Sequence, residues 1–368
     1  MLLELVALTL AGVHFGTPLL YYLYLKSRCL NKPWNVKVDE GYRPRVTVIV
    51  PTYNEAKLIE KKLDDLRQQN YPRSKLEIIV VDSASTDGTP RLVKRWTERH
   101  RDIELKLIVE EVRRGKAYAL NTALKHAAGD IVVITDADSL WPDRETLRRV
   151  VRWFSDQRVG AVSCLKKPVG SRVKSIEDSY RKYYNSLRVA ESKVWSTPIF
   201  HGELAAFRRK LLERLGGFST DVGADDSYTA TKIILMGYRA IIPEYVKCVE
   251  ILPKKGYNLW RIRRAQHLIQ HFSRILMSRP KVPKNFKTIL YIETFLHLIN
   301  PWIFLMAVIM ILISALMGSH ITLTLLIIGI MLLICKSFRT WIMAQMYLII
   351  ATIRNLWTKE IIWRKQIK

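Results

Sequence analysis

The chain has 368 residues, 49% of them hydrophobic, and a formal net charge of +26. That length suits one large domain or two ordinary ones, and the charge favours nucleic acid, anionic lipid or a phosphorylated substrate without choosing among them. Four cysteines, Cys29, Cys164, Cys248 and Cys335, lie far apart with no CxxC pair, which argues against a zinc site or a disulfide framework and fits a reducing compartment.

Residues 3–25 are apolar apart from Glu4, and Lys26, Arg28, Lys32 and Lys37 follow. A secretory leader has the opposite order, with charge first and a small-residue cleavage site last. Residues 1–28 therefore read as an uncleaved membrane helix, long enough for the roughly 20 residues that cross a hydrocarbon core. Beyond them, strand and helix signals alternate. Arg45–Pro51, Glu77–Asp82, Ile103–Glu110 and Asp130–Asp136 read as strands, and Ala56–Gln69, Thr89–His100 and Lys116–Ala128 as helices. Continuous apolar strands separated by helices predict a mostly parallel α/β sheet, assigned here to one domain over residues 29–285.

The last segment, residues 286–368, is apolar again. Ile289–Met317 is interrupted only by Glu293, His297, Asn300 and Pro301, and Ile321–Cys335 follows. Trp341–Ile353 is shorter and has basic flanks, which suits a helix lying on the interface. The loop between the first two runs lacks Lys and Arg, and positive charge gathers on the cytoplasmic side. The expected topology is an outside N-terminus, a cytoplasmic domain, a hairpin of two spans and an inside C-terminus. A third crossing at 341–353 is the alternative and would reverse that terminus.

In open α/β sheets, ligands collect at the carboxyl ends of the strands. Polar clusters sit at those positions: Pro51-Thr52-Tyr53-Asn54-Glu55, Asp82 to Thr89, and Asp136-Ala137-Asp138. Asp136 and Asp138 would share a face if strand geometry persists, and two hard carboxylates suit Mg²⁺ or Mn²⁺ with phosphate oxygens. The competing reading makes Asp138-Ser139 a cap for a helix over Asp143–Ser155. Asp82 ends a buried strand and needs a partner, for which a nucleobase imide N–H would serve. Arg113, Arg114 and Lys116 precede a helix, so cations and a helix N-terminus form a diphosphate site or a solvated loop. Gly223-Ala224-Asp225-Asp226 precedes a helix at Tyr228–Met236. Adjacent carboxylates raise one another's pKa, which suits a general base, although Asp226 or Ser227 could equally be a cap. Arg261 and Arg264 belong to a basic stretch that would meet phosphate or lipid head groups.

Together these segments resemble family 2 inverting glycosyltransferases of the GT-A fold. The matching pieces are Val48–Glu55, Val80–Thr89, Gly115–Asn121, Ile134–Ser139, Gly202–Arg209 and Gly223–Asp226, in family order over about residues 44–270. The flanking membrane helices look like those of dolichyl-phosphate sugar synthases and polysaccharide synthases. The resemblance implies a nucleotide-diphospho-sugar transferase domain. Pro51, Tyr53 and Glu55 would line the nucleoside pocket, Asp82 would contact the base, and Lys116 would lie near the donor. Asp136 and Asp138 would hold the donor and its metal, Asp226 would be the base and Asp225 its neighbour. The implied donor is a UDP- or GDP-sugar, and the implied acceptor a lipid-linked or other glycan at the membrane.

One departure matters. Processive members carry QxxRW, and here the aligned residues are Arg261, Arg264 and Ala265, with Trp260 in another register. This favours addition of one sugar over polymerisation. An inactive membrane scaffold fits poorly with the intact acidic positions. Nucleic acid is not an expected partner, because no recognisable RNA- or DNA-binding module accompanies the charge.

Overall fold

The structure is a computed structural model that describes residues 2–170 and 174–360. Helix α1, Leu2–Leu25, is followed by strand β1, Val46–Thr52, helix α2, Ile59–Arg67, β2, Leu76–Ser83, and α3, Thr89–Arg99. Then come β3, Glu104–Glu110, α4, Lys116–Leu124, β4, Ile131–Ile134, α5, Thr146–Val151, β5, Val159–Ser163, β6, Leu165–Val169, and the long α6, Lys174–Val194. The next elements are β7, Ala205–Arg208, α7, Arg209–Leu215, α8, Asp225–Leu235, β8, Arg239–Ile241, β9, Lys247–Ile251, and α9, Tyr257–Met277. The C-terminal helices are α10, Lys284–Thr294, α11, Asn300–Leu316, α12, His320–Leu332, and α13, Lys336–Arg354.

Seven strands form a sheet in the order β3-β2-β1-β4-β7-β5-β8. Only β7 runs against its neighbours, β4 and β5. The sheet is covered on both faces, which is why the middles of β1 and β2, Val48–Val50 and Ile78–Val81, are continuously apolar. Val48 and Val50 point to a layer with Leu63, Val93 and Trp96, and Ile49 points to the other with Leu120, Ile233 and Phe272. Parallel register sets Thr52 of β1 beside Asp82 of β2, and Ile49 beside Ile134 of β4. The polar segments after these three strands therefore emerge at one edge. Gly129 enters β4 where an added Cβ would lie 2.4 Å from the Thr47 nitrogen, so no side chain fits. A second, two-stranded sheet pairs β6 with β9 in parallel.

The structure corrects several sequence expectations. The fourth strand stops at Ile134, so Asp136 and Asp138 lie in a turn. Their face relation survives: both are half-buried while Ala137 between them is buried. The helix expected over Asp143–Ser155 starts only at Thr146, so Asp138 and Ser139 are not its cap. Helix α8 begins at Asp225, with Ala224 in the cap position, so neither Asp226 nor Ser227 caps it.

Among the described residues, two helical stretches are long and apolar enough to cross a membrane, Leu2–Leu30 and Lys284–Leu316. Helices α12 and α13 meet at 104° and would add a third span only if counted together. At 13 residues, α12 extends about 20 Å along its axis, against a bilayer core of about 30 Å. Helix α13 packs on the catalytic-side helix α9, where Tyr347, Leu348 and Ala351 meet Ile262, Ala265 and Ile269. Glu293, which interrupts the apolar run, receives both guanidinium contacts of the buried Arg188 at 3.0 Å. Arg188 also holds Glu191, which accepts from Tyr21 of α1. This buried network fastens α1, α6 and α10 together.

Candidate active site

A cavity of roughly 300 Å³ opens at the carboxyl edge of β1, β2 and β4. Pro51, Tyr53, Glu55, Lys116, Asp136, Asp138, Asp225, Asp226, Arg261 and Arg264 all line it. Asp82 does not. It is fully buried, its Oδ1 accepting the Ser85 N–H at 2.9 Å and its Oδ2 accepting hydroxyls from Ser85 and Thr52 at 2.6 and 3.0 Å. The chain itself thus supplies donors to both oxygens of this buried strand-end carboxylate. Asp82 shapes the loop instead: Ser85 Oγ in turn accepts the Asn54 N–H at 2.7 Å, joining the β1 and β2 ends. Asp87 does similar work, accepting from Thr89 and from the Ala56 N–H at 3.0 Å.

At this end, the Arg113 guanidinium lies 3.7 Å from the centre of the Tyr53 ring. Gly115, at φ 111°, then turns the chain into α4. The N-terminus of that helix, with Lys116, faces the cavity as an anion-binding edge.

The centre is organised around Gly202, just before β7. A Cβ added there would lie 2.7 Å from Lys116 Nζ, 3.4 Å from Asp226 Oδ2 and 3.6 Å from Asp136 Oδ2. Three side chains from distant segments therefore meet within a few ångströms, in space that only glycine leaves open. Lys116 Nζ bonds Asp136 Oδ1 at 2.7 Å and stands 3.8 Å from Asp225. Burial opposes the charge on Lys116, but Asp136, Asp225 and Asp226 outweigh it and hold the ammonium firmly protonated. Asp226 Oδ1 accepts the Ser227 N–H at 2.6 Å, which leaves Oδ2 toward Gly202. Burial and then the Asp225 charge push the Asp226 carboxyl up to about 7, against the pull of Lys116. Burial also raises Asp225, again opposed by Lys116.

Asp136 and Asp138 are the candidate metal ligands. No three acidic, His or Cys side chains converge as a metal cage among the described residues. That agrees with the expected ions: Mg²⁺ and, by its similar oxygen chemistry, Mn²⁺ bind through one or two carboxylates, with phosphates and water completing the shell. The donor set fits.

The far wall is ionic: Arg261 and Arg264 were expected there, and their acidic partners with Lys166 and Arg181 were not. Lys166 of β6 contacts Glu203 at 2.6 Å and Glu250 of β9 at 3.1 Å. Arg181 of α6 bridges Glu177 at 3.0 Å and Glu250 at 2.8 Å. Arg264 pairs with Glu250, and Arg261 lies 3.4 Å from Glu177 and 3.8 Å from the Tyr180 ring centre. His201 lies among these groups; burial, then Lys166, Arg181 and Arg264, keep it neutral. Trp260 and Ala265 both line the cavity, with the Arg264 guanidinium 4.7 Å over the Trp260 ring. Ala344, Tyr347 and Leu348 of α13 and His297 complete the membrane-side end. Gly202 and Glu203 did lie in a matched motif, and a polar pair before a buried strand was the available signal. Lys166, Arg181 and Glu250 had none, because charged residues in a sequence read as surface.

The family model "Glycosyl transferase family 2" matches residues 47–216. The mannosyltransferase PcManGT from Pyrobaculum calidifontis, solved in complex with GDP-Man and Mn²⁺, is 59% identical over 97% of this chain and 100% of that chain, with a TM-score of 0.90. TarS residues 1–349 from S. aureus, solved with UDP-GlcNAc, share the fold at 22% identity, with TM-score 0.51 over 69% of this chain and 72% of that one. The poly-beta-1,6-N-acetyl-D-glucosamine synthase of Staphylococcus epidermidis is 24% identical over 254 residues, 67% of this chain. The chain spans about 60% of the length of that curated relative.

Proposed function

This chain belongs to glycosyltransferase family 2 and has its GT-A fold, and from that premise we propose that it transfers mannose from GDP-mannose to a sugar hydroxyl of a membrane-attached glycan. The observation that carries the reading is the meeting of Lys116, Asp136 and Asp226 around Gly202. The choice of GDP-mannose is supported by the 59% identity to a protein solved with that nucleotide sugar.

In this reading Pro51, Tyr53, Glu55 and Arg113 hold the nucleoside, and Lys116 with the α4 N-terminus holds the diphosphate. Asp138 and Asp136 would hold Mg²⁺ or Mn²⁺, which would supply positive charge to the departing diphosphate. Asp226 Oδ2 takes the proton of the acceptor hydroxyl as that oxygen bonds to the anomeric carbon. The bond from that carbon to the diphosphate breaks on the opposite face, the electron pair leaves with the diphosphate, and the configuration inverts. A carboxyl near 7 is well matched to this proton transfer.

A hydroxyl acceptor, in place of a lipid phosphate, is supported by the far wall. Lys166, Arg181, Arg261 and Arg264 are each already paired with Glu177, Glu203 or Glu250, so three carboxylates offset most of the four positive charges that an incoming phosphate would meet. A lipid anchor on the acceptor and a catalytic domain at the cytoplasmic face are supported by the two span-length helices and their basic flanks. Chain extension is a second reading, favoured by Trp260 in the cavity wall beneath Arg264.

The test uses full-length protein in detergent with labelled GDP- and UDP-sugars, with and without Mn²⁺. Metal-dependent release of GDP from GDP-mannose, lost in Asp226→Asn, is expected. A ladder of long products would favour extension, and no nucleotide release from any donor would defeat the enzymatic reading.

A further inference from the structure

One buried atom of the far wall is left over by the reaction described above. Glu203 lines the cavity and is nine-tenths buried. Its Oε1 receives Lys166 Nζ at 2.6 Å, and Arg264 Nη1 stands 4.0 Å away. Its Oε2 is fully enclosed and has no hydrogen-bond partner among the described residues. Folded proteins seldom leave a buried carboxylate oxygen without a donor, because the desolvation it suffers goes uncompensated.

The residue is also held in place. The Glu203 carbonyl accepts the Thr135 hydroxyl at 2.7 Å, the Ser139 hydroxyl at 3.3 Å and the Trp141 indole N–H at 3.4 Å. It is thereby fastened to the turn that carries Asp136 and Asp138. Its chain neighbour is Gly202, the position around which Lys116, Asp136 and Asp226 gather. An ion pair fixes one oxygen, and the other is left without a donor in a residue that lines the cavity beside the reacting centre. A phosphate would be repelled there. A neutral hydroxyl would be a matching donor, and glycosyl transfer brings sugar hydroxyls to this place.

We propose that Glu203 Oε2 accepts a hydrogen bond from one sugar hydroxyl at the reacting end of the cavity, and so selects the sugar by the position of that hydroxyl. Lys166 is the positioning residue that orients it. The proposal rests on the glycosyltransferase reading above. Both the donor sugar and the acceptor glycan present hydroxyls, and the experiment separates them.

Full-length protein in detergent with Mn²⁺ is given GDP-mannose and its 2-, 3-, 4- and 6-deoxy analogues, with GDP release as the readout. A parallel series uses methyl α-mannoside and its deoxy analogues as acceptors. In the wild type, one deoxy position should lower kcat/KM by about ten- to a hundredfold. In Glu203→Gln that penalty should shrink toward one, while penalties at the other positions persist. Loss of discrimination in the donor series assigns the donor hydroxyl, and loss in the acceptor series assigns the acceptor hydroxyl. Glu203→Asp, which keeps the charge but withdraws the oxygen, gives the same readout should the glutamine variant not fold. A donor series with unchanged penalties, together with an acceptor series showing no discrimination that depends on Glu203, overturns the proposal even if overall activity falls. Absence of nucleotide release by the wild type from every GDP- and UDP-sugar would instead sink the function on which it rests.

Discussion

Replacing Asp226 by asparagine should make the protein more stable, and more so as pH rises. Folded, the Asp226 carboxyl keeps its proton to about pH 7, against 3.8 for an ordinary aspartate. A gap of about three pH units corresponds to roughly 4 kcal/mol. Below pH 3.8 both folded and unfolded chains are protonated at this site and nothing is lost. Between 3.8 and 7 the unfolded chain gives up its proton first, so the folded state is progressively disfavoured. Above 7 the full penalty remains. Asp226→Asn removes it and keeps an oxygen for the Ser227 N–H. The variant should therefore gain little at pH 4 and up to about 4 kcal/mol at pH 8, a Tm difference of roughly 5 °C for a chain this size. Melting followed by tryptophan fluorescence, without nucleotide or metal, measures it. The same carboxyl should appear in wild-type kinetics as kcat/KM rising with pH to a plateau above about 7, and Asp225→Asn should move that midpoint down. A Tm gap that stays constant from pH 5 to 8 would refute the reasoning, because it would mean Asp226 titrates alike in both states.

Gly202→Ala would place a Cβ 2.7 Å from Lys116 Nζ, displacing the Lys116–Asp136 pair. Displacements of this size can cost on the order of a hundredfold in kcat/KM, measured here with the melting temperature as control. Arg113→Ala removes the cation stacked 3.7 Å from Tyr53 and should raise the donor KM about tenfold with kcat little changed. Asp138→Asn should raise the Mn²⁺ concentration for half-maximal activity by at least roughly tenfold, read from a metal titration after chelation. Arg188→Met strands Glu191 and Glu293 as buried charges and should cost about 3–5 kcal/mol, visible as a lowered detergent melting point.

The sequence revealed the half of the sheet that behaves as hydrophobic cores usually do. The first three strands were expected to within a residue or two, β1 and β2 from their continuous apolar centres and β3 from its run Leu107–Val109. The fourth ends at Ile134, short of its predicted end, although the Thr135 N–H still bonds the Ile49 carbonyl at 3.1 Å. The acidic segments at the strand ends were legible for the same reason, since each follows a readable strand. Helix α6 was not. Its buried face includes Glu177, Arg181, Arg188 and Glu191, residues that in a sequence signal solvent. Strands β6 and β9 hide Lys166 and Glu250 in the same way. Where burial is achieved by ion pairing, hydrophobic periodicity carries no trace of it. Asp82 shows the converse limit: a buried acid at a strand end needs a partner, but the sequence does not tell a ligand from donors of the chain itself, here Ser85 and Thr52.

These ionic walls also connect the chemistry to the membrane. Arg181 and Arg264 share Glu250 at the cavity, Arg261 reaches Glu177 and the Tyr180 ring, and one turn or more along α6 Arg188 reaches Glu293 in the second long apolar helix. Tyr347 lies within cation–π range of Arg261 and donates to Asn258 at 2.8 Å, so α13 is anchored to the same wall. Helix α13 bends 104° away from α12, and that bend turns its Ala344, Tyr347 and Leu348 toward the cavity. A helix that simply continued α12 through a bilayer would not serve as this wall. The end proposed for the nucleoside is built from loops of the sheet, and the opposite end from helices that adjoin the apolar spans. The proposed nucleotide sugar and the proposed membrane-attached acceptor would then reach the carboxylate pair from different ends of one cavity.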